Sequence, residues 1–233
     1  MEWQQGMNTG AIWCREISNF SQKSAIAELI ATKVKSGDII GVGSGSTSFL
    51  AIQAIGKRVT SGGFTCRVIP TSFEAALACA ASGLTVTSLV HHKPDWCFDG
   101  ADEIDPAKNL IKGRGGAMFL EKLVLRSSGR IHILADSTKM VQKLGERFPI
   151  PIEVQPVAFR LVTDELFKLG AVEVVLRLAK NKDGPVISEH GNVILDARFH
   201  TVEKHLESTL KSIPGVIESG LFWGYELEII TNG

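Results

Sequence analysis

Residues 38–59, DIIGVGSGSTSFLAIQAIGKRV, decide the fold class of this chain. The first five residues form a short apolar strand, GSGST is a loop of glycine and hydroxyl residues, and apolar positions recur at helical spacing after it. A strand, a glycine loop and a helix in this order present backbone N–H groups and a helix N-terminus to an anion. The stretch therefore predicts one unit of an α/β fold with a phosphate cradle. A glycine turn that binds nothing is the alternative.

Neither of two nucleotide-binding motifs fits this loop. A Walker A loop needs Gly-Lys followed by Ser or Thr, which residues 43–47 lack. A dinucleotide fingerprint needs glycine where Ser46 stands and an acidic residue about twenty positions later, where the sequence reads SGGFTCR. The loop therefore favours a small phosphate ester over ATP or NAD.

Strands and helices alternate on both sides of this stretch. Further strands are predicted at 66–70, 84–90, 96–98 and 130–136, and further helices at 21–34, 73–82 and 117–126. Such alternation predicts an open, mostly parallel sheet with helices on both faces. Ligands of such sheets bind beyond the carboxyl ends of the strands. Residues 44–47, 99–102 and 137–139 each follow a predicted strand, so we expect one pocket to collect them.

The pattern changes near Pro149, where FPIPIEVQP interrupts the alternation. The elements that follow are a helix at 157–169, strands at 171–179 and 193–199, a helix at 201–213 and a strand at 216–222. This order is typical of the split βαβ arrangement. We predict a small α+β (ferredoxin-like) domain at 147–217 and a catalytic α/β domain at 18–146 and 218–233. The strand ELEII is expected to return to the first sheet.

Composition excludes several classes of protein. Lys and Arg number 25, as do Asp and Glu, so the 233-residue chain has no net charge and lacks the basic excess of a nucleic-acid binder. No apolar run reaches membrane-spanning length, and residues 1–17 resemble no secretory signal and show no clear periodicity. We expect a cytoplasmic protein that binds neither nucleic acid nor membrane.

Cysteines and histidines show no metal-binding or disulfide pattern. The chain has no CxxC spacing, so reduced thiols are expected, with Cys97 a structural strand residue. The histidines of interest have no second ligand at metal spacing. These residues are Cys14, Cys66, Cys79, Cys97, His91, His92 and His190.

Residues 99–121, DGADEIDPAKNLIKGRGGAMFLE, carry the densest chemistry of the chain. Four acidic residues within seven positions precede a lysine, a glycine cluster and Glu121. The acidic run superficially resembles a calcium loop, but its twelfth position is Leu110 instead of the bidentate glutamate of an EF-hand. No metal is therefore expected here.

Glu121 is a candidate general base on spacing alone. Its helical neighbours three and four positions away are apolar: Ala117, Met118, Val124 and Leu125. Burial disfavours the charged form of a carboxylate, so the pKa of Glu121 is expected to rise toward the range of a general base. The competing interpretation is a core glutamate paired with a distant Lys or Arg.

Several motifs, in the same order and at similar intervals, resemble the A-type ribose-5-phosphate isomerase family. The motifs are GVGSGST at 41–47, DGADEID at 99–105, KGRGGAMFLEK at 112–122, ADSTK at 135–139, PIEV at 151–154 and GNVILD at 191–196. The resemblance extends from the first helix nearly to the C-terminus. Arg114 stands where the family usually has glycine, and the segment up to about residue 18 has no counterpart.

The resemblance implies an aldose–ketose isomerase of the pentose phosphate pathway that interconverts D-ribose 5-phosphate and D-ribulose 5-phosphate without cofactor or metal. It implies that Glu121 moves a proton between C2 and C1 through an enediolate. Lys112 and Asp99 would assist ring opening and manage charge, with Asp102 in the same substrate loop. Further substrate-contacting positions by resemblance are Ser44, Gly45, Ser46, Thr47, Gly100, Ala101, Gly113, Arg114, Gly115 and Lys139. A homodimer or homotetramer is also implied.

The residue types suit this chemistry. A proton next to a carbonyl needs a base, and the enediolate oxygen needs a cation or hydrogen-bond donors. Lys112 and the backbone N–H groups of residues 113–116 supply both. The sequence leaves open whether Asp99 or Asp102 holds a proton.

Two other functions compete with the isomerase. Related α/β folds serve as phosphosugar-sensing domains, which bind without turnover, but no DNA-binding segment and no basic excess accompany this chain. A coenzyme A transferase on a similar scaffold would use a glutamate as nucleophile instead of base.

Overall fold

The computed structural model describes Trp13 and residues 16–232, which form two compact units. Unit 1 contains the described residues up to Gly100, Val124–Asp136 and the described residues from Glu228. Unit 2 contains Ala101–Leu123 and Ser137–Leu227. Cys14 and most of the N-terminal segment without periodicity lie outside the described residues.

The strands are β1 (Ile39–Val42), β2 (Arg67–Pro70), β3 (Thr85–Val86), β4 (Trp96–Gly100), β5 (Glu103–Ile104), β6 (Leu110–Ile111), β7 (Ile131–Leu134), β8 (Ile150–Val154), β9 (Ala171–Leu176), β10 (Val193–Phe199), β11 (Val216–Ser219), β12 (Leu221–Phe222) and β13 (Glu228–Ile230). The α-helices are α1 (Phe20–Thr32), α2 (Ser46–Gly62), α3 (Phe73–Ala81), α4 (Met118–Ser127), α5 (Phe159–Lys168) and α6 (Leu206–Ser212).

Unit 1 is built on a six-stranded sheet in the order β13-β7-β4-β1-β2-β3. Every neighbouring pair in this sheet is parallel. The predicted parallel sheet is confirmed, as is the return of the C-terminal strand, because β13 pairs with β7. Parallel order brings the carboxyl ends of β1, β2, β4 and β7 to one edge of the sheet.

Helices cover both faces of this sheet. Ile40 and Val42 of β1 belong to a core that also includes buried residues of α1, α2 and α3. Gly41 points the other way, as strand alternation requires. A Cβ on Gly41 would lie 2.3 Å from a methyl group of Val124 in α4 and 2.7 Å from Cβ of Cys97. Glycine at this position therefore lets α4 pack closely on the second face.

Unit 2 contains an antiparallel four-stranded sheet in the order β11-β8-β10-β9. With α5 after β8 and α6 after β10, this is the βαββαβ arrangement that the sequence predicts. All five residues of the inner strand β8 are buried. A separate core cluster of unit 2 includes Ile152, Leu195 and Leu210.

Unit 2 also holds a three-stranded sheet, β12-β6-β5, that the sequence analysis did not predict. The predicted strand 216–222 divides at Gly220 into β11 and β12, which belong to different sheets. Glycine is required at the division because an added Cβ would lie 2.1 Å from the Lys112 carbonyl oxygen. Unit 2 also includes three segments that the predicted domains place with the first sheet, and these are residues 101–123, 137–146 and 218–227.

Several elements are shorter than predicted, and two of them differ most from the prediction. The strand predicted at 84–90 ends after Val86, because the following residues form a turn in which Thr87 Oγ1 and His92 Nδ1 lie 2.8 Å apart. The helix predicted at 201–213 begins only at Leu206. The amphipathic pattern continues through both segments. The pattern therefore does not reveal the local turns that end the strand and delay the start of the helix.

Cys66, Cys79 and Cys97 are buried, and Cys97 lies in strand β4, as predicted. Burial raises the pKa of Cys79 to about 12. Within Trp13 and residues 16–232, no group of three or more metal-ligating side chains occurs, and no helix has the length and apolar character to cross a membrane.

Candidate active site

Hydroxyl groups connect the glycine loop after β1 by hydrogen bonds to the residues that follow β2. Ser44 Oγ donates to Ser72 Oγ at 2.7 Å and lies 3.0 Å from Thr71 Oγ1. Both partners are buried, and Ser72 also caps α3 by accepting from Ala75 N. Hydrogen bonds to two buried, fixed groups hold the loop in one conformation.

Asp99 lies against this loop at the end of β4 and is 1% exposed. Its Oδ1 accepts from the backbone N–H groups of Ser44 at 3.2 Å and Gly100 at 2.7 Å. A Cβ on Gly43 would lie 2.1 Å from Asp99 Cγ and Oδ1. The glycine therefore makes room for the carboxylate, which backbone donors hold beside the predicted phosphate cradle.

The N-terminus of α2 has the features of an anion site. Its N-cap, Gly45, has φ of 90° and supplies no capping side chain. Ser46 and Thr47 form the first turn and are half-buried. Lys23, a buried residue of α1, donates from Nζ to Ser46 Oγ at 3.1 Å. An ammonium group beside open backbone N–H groups favours a bound phosphate.

Lys112 and Glu121 form a buried ion pair in unit 2, with Nζ 3.3 Å from Oε2. Their residues are 3% and 4% exposed. Lys112 follows β6, and its N–H donates to the Gly220 carbonyl at 2.9 Å. Glu121 lies in the first turn of α4, where the helix dipole favours an anion. Glu121 therefore has the apolar helical neighbours on which the general-base interpretation rests. It also has the distant lysine partner that the core-glutamate interpretation expects.

The glycine turn between Lys112 and α4 needs glycine at two positions. Gly113 and Gly116 have φ of 94° and 86°. The described non-glycine residues with positive φ are Asn19 and Lys108, so Arg114 adopts a backbone that any L-residue can adopt. Its guanidinium stacks over the Phe148 ring at 5.4 Å. The departure from the family pattern at 114 therefore leaves the turn intact.

The acidic run 99–105 divides into residues with different contacts. Asp102 is half-buried, and its Oδ2 accepts from Arg114 N at 3.2 Å. Glu103 is fully buried and accepts three backbone N–H groups from residues 145–148. Asp105 accepts the backbone and side-chain N–H groups of Asn109. Glu103 and Asp105 therefore stabilise loops.

The other predicted positions are distributed over both units. Gly100 lies at the end of β4 in unit 1, and Ala101 begins unit 2. Lys139 ends a short 3₁₀ turn after β7 and is half-buried. Its neighbour Met140 forms a bridge with Ile104.

Sequence reasoning missed four polar residues beside these groups. Lys23, Thr71 and Ser72 support the glycine loop, and Arg177 donates to the carbonyl groups of the glycine turn. A basic residue within each of two apolar patterns, α1 and strand 171–179, was a detectable signal. The hydroxyl residues after β2 resembled an ordinary helix cap.

Comparison with known proteins identifies the family of this chain. The family model described as Ribose 5-phosphate isomerase A (phosphoriboisomerase A) matches residues 67–233. Ribose-5-phosphate isomerase A of Methanothermobacter thermautotrophicus is 43% identical over 194 residues, which are 82% of this chain and 85% of the relative. The chain belongs to the ribose-5-phosphate isomerase A family.

Two solved structures extend this result to the fold. Ribose 5-phosphate isomerase A from Methanocaldococcus jannaschii superposes with a TM-score of 0.89 at 39% identity, over 92% of this chain and 96% of the other. A D-ribose-5-phosphate isomerase in complex with phospho-erythronic acid superposes with a TM-score of 0.87 at 36% identity, over 91% and 95%. The α/β architecture is therefore that of the ribose-5-phosphate isomerase A family.

Proposed function

We propose that the protein interconverts D-ribose 5-phosphate and D-ribulose 5-phosphate by proton transfer through an enediolate, within the pentose phosphate pathway. The observation that carries the proposal is the buried Lys112–Glu121 pair, 3.3 Å apart and within the residues that the family model matches. A carboxylate can move a proton while an adjacent ammonium stabilises the anion that forms.

Each step can be written with these groups. The Glu121 carboxylate takes the proton from C2 of the open-chain aldose, and the electron pair forms a C1–C2 double bond with negative charge on O1. The O2 proton passes to O1, and the charge passes to O2. Protonated Glu121 then returns its proton to C1, which leaves a carbonyl at C2. Lys112 and the N–H groups of the glycine turn stabilise the charged oxygen.

Asp99 and Asp102 handle hydroxyl protons in this proposal. Asp99 is held by two backbone N–H groups, and Asp102 accepts from the glycine turn, so each carboxylate has a defined orientation. With Lys112, they assist opening of the sugar ring by moving a proton from the O1 hydroxyl to the ring oxygen. Comparison of the turnover of Asp99→Asn with that of Asp102→Asn tests which of the two carboxylates carries the proton.

The glycine loop binds the phosphate group. The N–H groups at the start of α2, the hydroxyl groups of Ser46 and Thr47, and the buried Lys23 support this assignment, with Lys139 as a further cation. Phospho-erythronic acid, which the related structure holds, carries a phosphate and a carboxylate in one molecule. The enediolate intermediate likewise joins a phosphate to an anionic oxygen.

The test is turnover of ribose 5-phosphate by the wild type and by Glu121→Gln. The variant keeps the shape of the side chain but lacks the base, so kcat should fall at least about a hundredfold. Glu165→Gln, which alters a half-buried carboxylate paired with the exposed Lys168 on α5, is the control and should retain activity. Circular dichroism checks that each variant is folded, and assays with and without a chelator check that no metal is needed.

Ordinary activity in Glu121→Gln would refute the role of this residue. A wild type that binds ribose 5-phosphate without turnover would instead support a phosphosugar sensor. The buried ion pair disfavours that alternative, because a sensor has no need of a base beside the sugar carbons.

We also propose a cytoplasmic homodimer or homotetramer. Strand β9 forms the edge of its sheet, and this strand and the hairpin after it expose Val172, Val175, Leu178 and Ile187. Exposed apolar groups of this kind favour association with another protein surface. Sedimentation analysis across protein concentrations would distinguish these assemblies from a monomer.

A further inference from the structure

Arg177, just after β9, contacts the glycine turn that precedes α4. Its Nη1 donates to the carbonyl oxygens of Gly113 and Arg114, each at 2.9 Å. Asp196 of β10 holds the guanidinium from the other side, accepting from Nε at 2.8 Å and also from Nη2. The ion pair is largely buried, with side chains 16% and 19% exposed. A bidentate pair of this kind fixes both position and orientation.

The contact determines which way two peptide groups face. In a planar trans peptide, the C=O of one residue and the N–H of the next point in opposite directions. Because Arg177 binds the carbonyls of Gly113 and Arg114, the N–H groups of Arg114 and Gly115 point away from Arg177. The first of these donates to Asp102 Oδ2 at 3.2 Å, which agrees with this geometry.

The same contact strengthens the two donors. A carbonyl that accepts from a charged guanidinium is polarised, and the polarisation passes through the peptide group to the N–H on its other side. The Gly113 carbonyl also accepts from Gly116 N at 2.9 Å, so the turn is closed on itself. The Arg114 N–H is bound to the Asp102 carboxylate, whereas the polarised Gly115 N–H is the kind of donor that stabilises an oxyanion.

We propose that the Arg177–Asp196 pair is a positioning element of the isomerase reaction, which aims the Gly115 N–H at the enediolate oxygen and the Arg114 N–H at the Asp102 carboxylate. The inference rests on the proposed function. Arg177 acts through the backbone of the turn and does not itself touch the substrate. Interactions made mainly with the transition state change kcat more than KM.

The test compares Arg177→Met with a matched control, Arg198→Met, by steady-state kinetics with ribose 5-phosphate. Arg198 of β10 pairs with Glu173 of β9 at 3.2 Å on an exposed surface, so its loss removes a similar cross-strand pair without reaching the turn. We expect kcat to fall at least about tenfold in Arg177→Met with KM changed less than about threefold, and both constants to stay within about twofold in Arg198→Met.

Asp196→Asn tests the same contact by removing the charge of the carboxylate that holds Arg177. It should lower kcat less than Arg177→Met, and the double variant should be no slower than Arg177→Met, because both changes act on one contact. Arg177→Lys should restore activity only in part, since a lysine cannot hold both carbonyls in the same geometry.

Each outcome is decisive. Wild-type kcat in Arg177→Met, or an equal loss in Arg198→Met, would overturn the inference while leaving the isomerase intact. A wild type without turnover would overturn the proposed function and this inference with it. If Arg177→Met unfolds below the assay temperature, Arg177→Lys and Asp196→Asn replace it, and unchanged kcat in both would overturn the inference.

Discussion

Glu103 and Glu121 lie eighteen positions apart and are both buried, yet their surroundings assign them different tasks. Glu103 accepts backbone N–H groups from Gly145, Arg147 and Phe148, so its charge is satisfied and its position is fixed. Glu121 faces the Lys112 ammonium in the first turn of a helix. At the residue scale, the partners of each carboxylate distinguish Glu103, which stabilises a loop, from Glu121, the proposed base.

Substitution Gly43→Ala is expected to displace Asp99, because the new Cβ would lie 2.1 Å from the carboxylate and 2.6 Å from Asp99 Cα. A shift of about 1 Å in a catalytic group can cost a hundredfold in rate. We therefore expect kcat/KM for ribose 5-phosphate to fall at least about tenfold in a folded protein.

Gly63→Ala is the control for this substitution. Gly63 caps the C-terminus of α2 with φ of 64° and has open space around it, so alanine there is strained but displaces no neighbour. It should lower the thermal midpoint without reducing kcat/KM. Full activity in Gly43→Ala would show that the loop and Asp99 adjust to each other freely.

Helix α4 is anchored at the residue after the proposed base. Lys122 Nζ donates to Glu207 Oε1 at 2.7 Å, Glu218 Oε1 at 2.8 Å and the Leu221 carbonyl at 2.7 Å, and it lies 4.8 Å from the Phe222 ring centroid. These partners come from α6, β11 and β12. At the element scale, one buried ammonium therefore joins the first turns of α4 to three other elements of unit 2.

Lys122→Met should reduce the free energy of unfolding by about 3 kcal/mol, because it removes the cation shared by two largely buried carboxylates, Glu207 and Glu218, of which Glu218 keeps a second cation, Lys211. Urea unfolding at pH 7 measures this change. Lys168→Met, which removes an exposed lysine paired with Glu165 on α5, is the matched control and should have little effect.

The pH dependence of stability provides a second test of the pairing between Lys122 and Glu218. Burial acts to raise the pKa of Glu218, but the Lys122 ammonium, its hydrogen bond and the Ser219 N–H hold that pKa below its ordinary value of 4.5. A carboxyl with a lowered folded-state pKa stabilises the protein above pH 4.5 and loses this contribution as the pH falls through the folded-state pKa. Lys122→Met should weaken this acid-sensitive contribution. Equal slopes of stability against pH below 4.5 would contradict this account.

At the scale of the whole molecule, the chain passes between its two units after Gly100, Leu123, Asp136 and Leu227. Unit 2 is therefore not one continuous segment. Its core cluster includes buried residues from outside the predicted small domain 147–217, and these are Ile111, Val141, Leu144 and Leu221. The elements of the ferredoxin-like arrangement are contiguous in sequence, whereas the core beneath them is not.

An excised fragment of residues 147–217 should not fold cooperatively. Each of the four missing core residues contributes about 1.5–3 kcal/mol by burial, and together they approach the whole stability of a typical domain. Thermal unfolding followed by circular dichroism, with the full chain as reference, tests this expectation. A cooperative transition in the fragment would support the predicted boundary at residue 147.

The sequence by itself determined the alternation of strands and helices, the glycine loop and the helix that carries Glu121, because these depend on periodicity and backbone preference over short distances. Tertiary structure alone decided that Lys112 pairs with Glu121, that Glu103 and Asp105 stabilise loops, and that Arg177 reaches the turn 64 positions away. Such pairings depend on strand order and on the path of the chain between elements, which local patterns do not encode.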